Sequence, residues 1–139
     1  MILLDTTVLV YAAGRDHPLR DPCRRLLEAH ARRVLRCTTT VEVVQEFAHL
    51  YTRGRARAVV ADVARQCTKA FDLLSTTPPD LALGLELYEA HPNLGAFDAV
   101  LAGVALKQGV SALVSADRAF ADVPGLRWVD AANAVIRLS

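Results

Sequence analysis

Four acidic residues, Asp5, Glu46, Asp98 and Asp117, interrupt segments that are otherwise apolar, and they come from widely separated parts of the chain. Their surroundings read MILLDTT, VVQEFAH, LGAFDAV and LVSADRAF. Asp5 directly follows, and Asp117 nearly follows, a short apolar run of the kind that forms a strand covered on both faces. Glu46 and Asp98 sit inside apolar helical patterns. A carboxylate in such a place is costly to desolvate unless something compensates it. Four of them brought together repel one another, and a divalent cation is the simplest remedy. The pattern therefore asks for a sheet whose strand ends face helices, with a Mg²⁺ or Mn²⁺ site at that end.

The rest of the chain supplies such a sheet. Ile2–Leu4, Val34–Cys37, Phe71–Leu74, Ala112–Ser115 and Arg127–Val129 read as strands. Between them, Thr6–Ala13 reads as a short apolar turn or helix, and Cys23–Ala31, Thr40–Thr52, Ala56–Ala70, a segment from Pro79 to about Ala90, and Ala96–Gln108 read as helices. Thr39 and Glu42 have the spacing of a capping box. Asp117–Ala121 reads as a short helical turn and Asp130–Ile136 as a terminal helix. Strands alternating with helices predict an α/β sandwich around a central, mostly parallel sheet. In such folds the ligand crevice lies beyond the carboxyl ends of the strands, where Asp5 and Asp117 fall.

Length and composition narrow the class. A chain of 139 residues suggests one domain, 1–139, with a core of its own. Its 53% hydrophobic and 22% charged residues argue against disorder. No apolar run approaches the ~20 residues of a membrane span. The opening Met1-Ile2-Leu3-Leu4-Asp5 has no basic leader and meets an acid at once, so it does not read as a signal peptide and a cytoplasmic protein is expected. Cys23, Cys37 and Cys67 are far apart, contain no CxxC, and read as reduced thiols.

Each acid has a structural alternative. Asp5 is placed to form an Asx-turn or cap toward Thr7 and Val8. Glu42 and Glu46 compete for one role, and Glu42 already has a place in the capping box, which favours Glu46. Glu46-x-x-His49 has the spacing of a di-iron helix pair, but the second pair that chemistry needs is absent. Asp98 falls in the first turn of its helix, where the dipole favours an anion; small Ala102 and Gly103 suggest close packing and partial burial. Asp117 is placed to cap the turn containing Phe120, although Ser115 could do so instead. Asp122 lies in a polar loop and reads as solvated.

Taken together, MILLDTTVLVYA, TTTVEVVQEFAHLYTR, GAFDAVLAGVALKQG and ALVSADRAF, in this order and at these intervals, resemble the PIN-domain ribonucleases, and among them the VapC toxins of toxin–antitoxin pairs. The resemblance spans nearly the whole chain and implies a PIN-like α/β/α sandwich. It implies that Asp5, Glu46, Asp98 and Asp117 hold Mg²⁺ or Mn²⁺, with Asp5 and Asp98 as direct ligands. It also implies that Thr6, Thr7 and Ser115 are hydroxyls near the metal. A metal-dependent endoribonuclease acting on tRNA or ribosomal RNA, a homodimer and a cognate antitoxin partner are expected. Two positions depart from the family pattern: Thr7 stands where Asn or Ser is common, and Ala119 where many relatives carry another acid.

Arg53, Arg55 and Arg57 cluster after the Glu46 helix, and Arg15 and Arg20 follow Asp5; if those loops flank the site, Arg15, Arg53 and Arg55 could hold phosphates. Tyr11, Tyr51 and Phe120 read as core rather than as base-stacking platforms. Two rival readings remain: a catalytically degenerate PIN domain that only binds RNA or a partner, and a phosphoacceptor domain. The second wants an acid pair after the first strand and a lysine near the last, and the chain has neither.

Overall fold

The computed structural model describes all residues, 1–139. Four strands form one wholly parallel sheet in the order β2-β1-β3-β4: β1 Ile2–Leu4, β2 Cys37–Thr38, β3 Ala112–Ser115 and β4 Trp128–Asp130. Seven α-helices flank it: α1 Thr6–Ala13, α2 Arg20–Ala31, α3 Val41–Tyr51, α4 Arg57–Ala70, α5 Pro78–Ala90, α6 Ala96–Lys107 and α7 Ala134–Leu138. Short 3₁₀ turns occupy Arg118–Asp122 and Ala131–Asn133. Every residue of β1, β2 and β3 is buried, the condition that made their apolar runs continuous rather than alternating.

Register places the strand ends level. Leu4 pairs with Val114, and Ser115 with Asp130, so Asp5 leaves β1 beside Ser115. The Asp5 amide extends the ladder by donating to the Val114 carbonyl at 3.0 Å.

Three expectations need correction. The second strand is not Val34–Cys37. The chain leaves α2 through Arg33 at φ 61°, and the Val34 and Leu35 amides both turn back to the Ala29 carbonyl. Pairing with β1 begins only at Cys37. The Phe71–Leu74 segment makes a single bridge, Thr40 to Leu74, before the chain turns into α5, and is no strand of the sheet. Nor do Thr39 and Glu42 form a capping box. Thr40 caps α3 by accepting from the Val43 amide at 3.0 Å, while the Thr39 hydroxyl donates to the Leu4 carbonyl at 2.8 Å. Glu42 Oε1 instead accepts from the Thr76 amide at 3.0 Å, tying the start of α3 to the approach of α5.

The capping box belongs to α5, between Thr77 and Asp80. Asp80 is 1% exposed. Burial alone would raise its pKa, but hydrogen bonds from the Thr77 amide and Gln108 side chain outweigh that and hold the carboxyl below its ordinary value. Because Gln108 follows the last turn of α6, this bond locks α5 to α6. The two helices approach closely at Gly84 and Gly103. A Cβ on Gly84 would lie 2.5 Å from Val100 Cα, and one on Gly103 would lie 2.5 Å from the Asp80 carbonyl oxygen. All three cysteines are free, and burial pushes Cys23 and Cys37 up to about 11, so they stay protonated.

Because backbone atoms cannot yield as side chains do, Gly84→Ala and Gly103→Ala are each expected to lower the unfolding free energy by about 2 kcal/mol or more. Urea denaturation measures the effect; a loss under ~0.5 kcal/mol would contradict the close approach.

Candidate active site

Asp5 is 2% exposed, at the junction of β1 and α1. Although it occupies the N-cap position of α1, its side chain caps nothing. Its Oδ2 instead accepts from the Ser115 hydroxyl at 2.6 Å and the Thr7 hydroxyl at 2.9 Å. Both hydroxyl oxygens are themselves acceptors: Ser115 Oγ takes the Asp117 amide at 2.9 Å and Thr7 Oγ1 takes the Ala116 amide at 3.1 Å. The two hydroxyls also lie 3.3 Å from each other, and both are within donating distance of Asp5. One carboxylate oxygen is saturated, and Oδ1 is the oxygen left for another partner.

A pocket of about 240 Å³ opens beside this carboxylate, lined by Asp5, Thr6, Thr7, Val10, Tyr11, Glu46, Leu50 and Asp98. Helix α1 supplies Thr6, Thr7, Val10 and Tyr11; α3 supplies Glu46 and Leu50; α6 supplies Asp98 from its third residue. The Thr6 Oγ1 is buried without any hydrogen-bond partner, an orphan on the wall of an otherwise acidic pocket. Asp98 is half-buried. Its place in the first turn of α6 favours the anion, yet its carboxyl is pushed up to about 7. Desolvation is the largest cause, followed by the charges of Asp5, Asp117 and Glu46.

Three of the four acids named from the sequence, Asp5, Glu46 and Asp98, line this one pocket. Asp117 is exposed and lies outside the pocket lining, and its Oδ1 accepts from the Ala119 amide at 2.9 Å. The capping alternative therefore holds for Asp117, while its charge still reaches Asp98. No group of three or more His, Cys, Asp or Glu side chains is arranged to hold a metal ion unaided. The donors that are present are all oxygens, which suit a hard cation that keeps several of its waters. The orphaned Thr6 oxygen is consistent with such a guest.

The arginines are not drawn into the pocket. Arg15 and Arg53 are exposed. Arg55 lies 3.8 Å over the Tyr51 ring and donates to the Tyr51 and Arg53 carbonyls, so it closes the end of α3. Arg20 pairs with Asp16 at 3.4 Å. Asp122 is exposed, as expected. Among the aromatic residues, Phe120 is core, and Tyr11, half-buried, packs against the core as expected and also lines the acidic pocket. Tyr11 and Leu50 were missed as lining residues. The signal was available: Tyr11 is one helical turn beyond Thr7, and Leu50 one turn beyond Glu46.

Residues 2–126 match the family model described as PIN domain. The chain is 48% identical over 141 residues to ribonuclease VapC7 of Mycobacterium tuberculosis, with 97% of this chain and 96% of that protein covered. The chain belongs to the PIN-domain family, among the VapC proteins. Solved structures share the fold of this PIN domain. One is VapBC2 from Rickettsia felis bound to a DNA fragment from its promoter, with TM-score 0.74 and 18% identity over 94% of this chain and 98% of that one. Another is a toxin–antitoxin complex from Klebsiella pneumoniae, with TM-score 0.71 and 17% identity over the same shares. The PIN-like α/β architecture expected from the sequence is therefore the fold found. No helix of this PIN domain is long and apolar enough to cross a membrane.

The position of Asp98 carries a pH signature. In the unfolded chain its carboxyl titrates near 3.8, and in the folded chain near 7. Between these values the folded state binds more protons, so stability falls as pH rises through the window; the penalty is absent below about pH 4 and complete above about pH 7. After allowance for partial exposure it is expected to be on the order of 1–2 kcal/mol. Metal-free protein should melt lower at pH 8 than at pH 5, and Asp98→Asn should flatten that slope and stabilise the protein at pH 8. Thermal melts in chelator check this; equal slopes for both proteins would contradict the coupling.

Proposed function

We propose that this PIN domain is a Mg²⁺- or Mn²⁺-dependent endoribonuclease and the toxin of a toxin–antitoxin pair. The observation that carries the reading is the convergence of Asp5, Glu46 and Asp98 on one pocket, where burial first, and then the charges of Asp5, Asp117 and Glu46, raise the Asp98 pKa. The likeness to a protein named ribonuclease VapC7 supports the RNA-cleaving chemistry.

In this reading Asp5 Oδ1 and the Asp98 carboxylate are the direct ligands, with Glu46 and Asp117 acting through water. A divalent cation there supplies neutralising charge and an acidified water for attack on a phosphodiester. The chain's own contribution is orientation. Thr7 and Ser115 fix the Asp5 plane by saturating Oδ2, and Thr6 forms the wall beside it. Glu46 lines the same pocket from α3, where its carboxylate would add to the charge that a cation neutralises. Arg15 and Arg53, exposed outside the pocket, and Arg55, which would have to leave Tyr51, are the candidates for the phosphates beyond the cut. The Asp117 carboxylate keeps its capping bond and contributes charge.

The proposed partners are an RNA such as tRNA or ribosomal RNA, a cognate antitoxin and a second copy of the chain. The antitoxin is supported by the likeness to toxin–antitoxin complexes. For the homodimer, Leu81, Leu85 and Tyr88 form a stripe along α5 and are each 45–49% exposed. A cytoplasmic location follows from the substrate. The alternative, a degenerate PIN domain that binds RNA or a partner without cutting, has one observation in its favour: no three acids are arranged to hold an ion unaided.

The two readings part on turnover. Asp5→Asn and Asp98→Asn keep shape and remove charge, so each should lower RNA cleavage by about 100-fold or more, ~3 kcal/mol in activation free energy, while folding persists. Both should also abolish growth arrest on expression. Chelation should stop cleavage and added Mn²⁺ or Mg²⁺ restore it. Metal-independent cleavage, or unchanged cleavage by both variants, would refute the assignment.

A further inference from the structure

Three residues of the acidic pocket, Val10, Tyr11 and Leu50, carry no charge and have no task in the chemistry above. Tyr11 is the informative one. Its half-buried side chain packs against the core and also lines the pocket. His17 stacks on it, with ring centroids 4.5 Å apart and planes 29° from parallel. His17 is in turn fixed by accepting the Leu19 amide on Nδ1 at 3.0 Å. The Tyr11 ring therefore has a backing that holds its plane. Leu50, 52% exposed and one turn beyond Glu46, flanks the same pocket from α3. Tyr51, by contrast, does not line the pocket, and Arg55 lies over its ring at 3.8 Å.

We propose that Tyr11, backed by His17 and flanked by Leu50, is a stacking platform for one nucleobase of a single-stranded RNA, adjacent to the phosphate held among the acids. The inference rests on the ribonuclease reading and adds to it a subsite for the substrate's base. The acids can hold a phosphate only through a cation, and that contact is the same at every nucleotide. They neither orient a flexible strand nor distinguish an unpaired region from a duplex. A ring beside them does both, because only an unstacked base presents its π-face, and any base can stack. Leu50, half exposed and outside the core, also has no packing reason to flank a pocket lined by three carboxylates.

The test uses the full chain with Mn²⁺ and a single-stranded RNA whose cut has been mapped, beside the same RNA made abasic at the nucleotides flanking the cut. Tyr11→Leu keeps apolar volume and removes the ring. On the intact RNA it should lose about 5- to 150-fold in kcat/KM, the range that base stacking on an aromatic side chain spans. On the abasic RNA, which the wild type should already cut less well, it should lose less than about twofold. Tyr11→Phe should restore most of the loss. Equal losses on both RNAs would mark a structural role, and no loss on either would mark an idle residue; each overturns the platform. If no RNA is found that the wild type cuts with metal present, so that no cut can be mapped, the ribonuclease reading itself fails, and the platform with it.

Discussion

A carboxylate buried where two parallel strands end costs several kcal/mol unless donors reach it. Asp5 meets that demand with two hydroxyls, Thr7 from its own helix and Ser115 from the neighbouring strand. Ser115 and Thr7 then take the Asp117 and Ala116 amides, so the chain beyond β3 is held by the same cluster. The β1–α1 junction and the β3 exit are thereby one unit. Everything that lines the acidic pocket is placed relative to it: α1 begins there, α6 packs against β3, and α3 packs against α1.

That arrangement stores repulsion. Asp98 stands at a helix start that welcomes an anion, yet its carboxyl holds its proton to about pH 7 because it is desolvated and faces three other acids. The fold keeps these groups together by means unrelated to their charge, namely a doubly covered sheet and the α5–α6 contact. The proposed cation relieves a strain that the scaffold was already strong enough to bear. A site of this kind gives up stability to keep several carboxylates close together.

Much of this was legible in the sequence, because continuous apolar runs mark doubly buried strands and helical spacing marks amphipathic helices. Ala112–Ser115 and Ile2–Leu4 match the structure at both ends. What escaped was decided at long range. Whether Phe71–Leu74 joins the sheet depends on how the chain must turn into α5, and the capping box at Thr77 and Asp80 was overlooked in a segment dominated by its prolines. Glu42 was assigned a local cap, but it bonds Thr76, 34 residues away, which no local pattern announces. Of the four acids, Asp117 was the least decidable. Its cap on Ala119 and its charge at Asp98 coexist, so choosing between them posed a false alternative.

The absence of side chains at Gly84 and Gly103 reaches further than local packing. Asp98 stands less than two turns before Gly103 on α6, so the depth to which α6 settles against α5 determines how far its first turn projects toward α3. A methyl group wedged between these helices would act as a shim. It would tilt the near end of α6 outward and withdraw a carboxylate from the pocket without altering a single acid. The geometry of the acidic pocket, on this view, depends on a place where nothing protrudes.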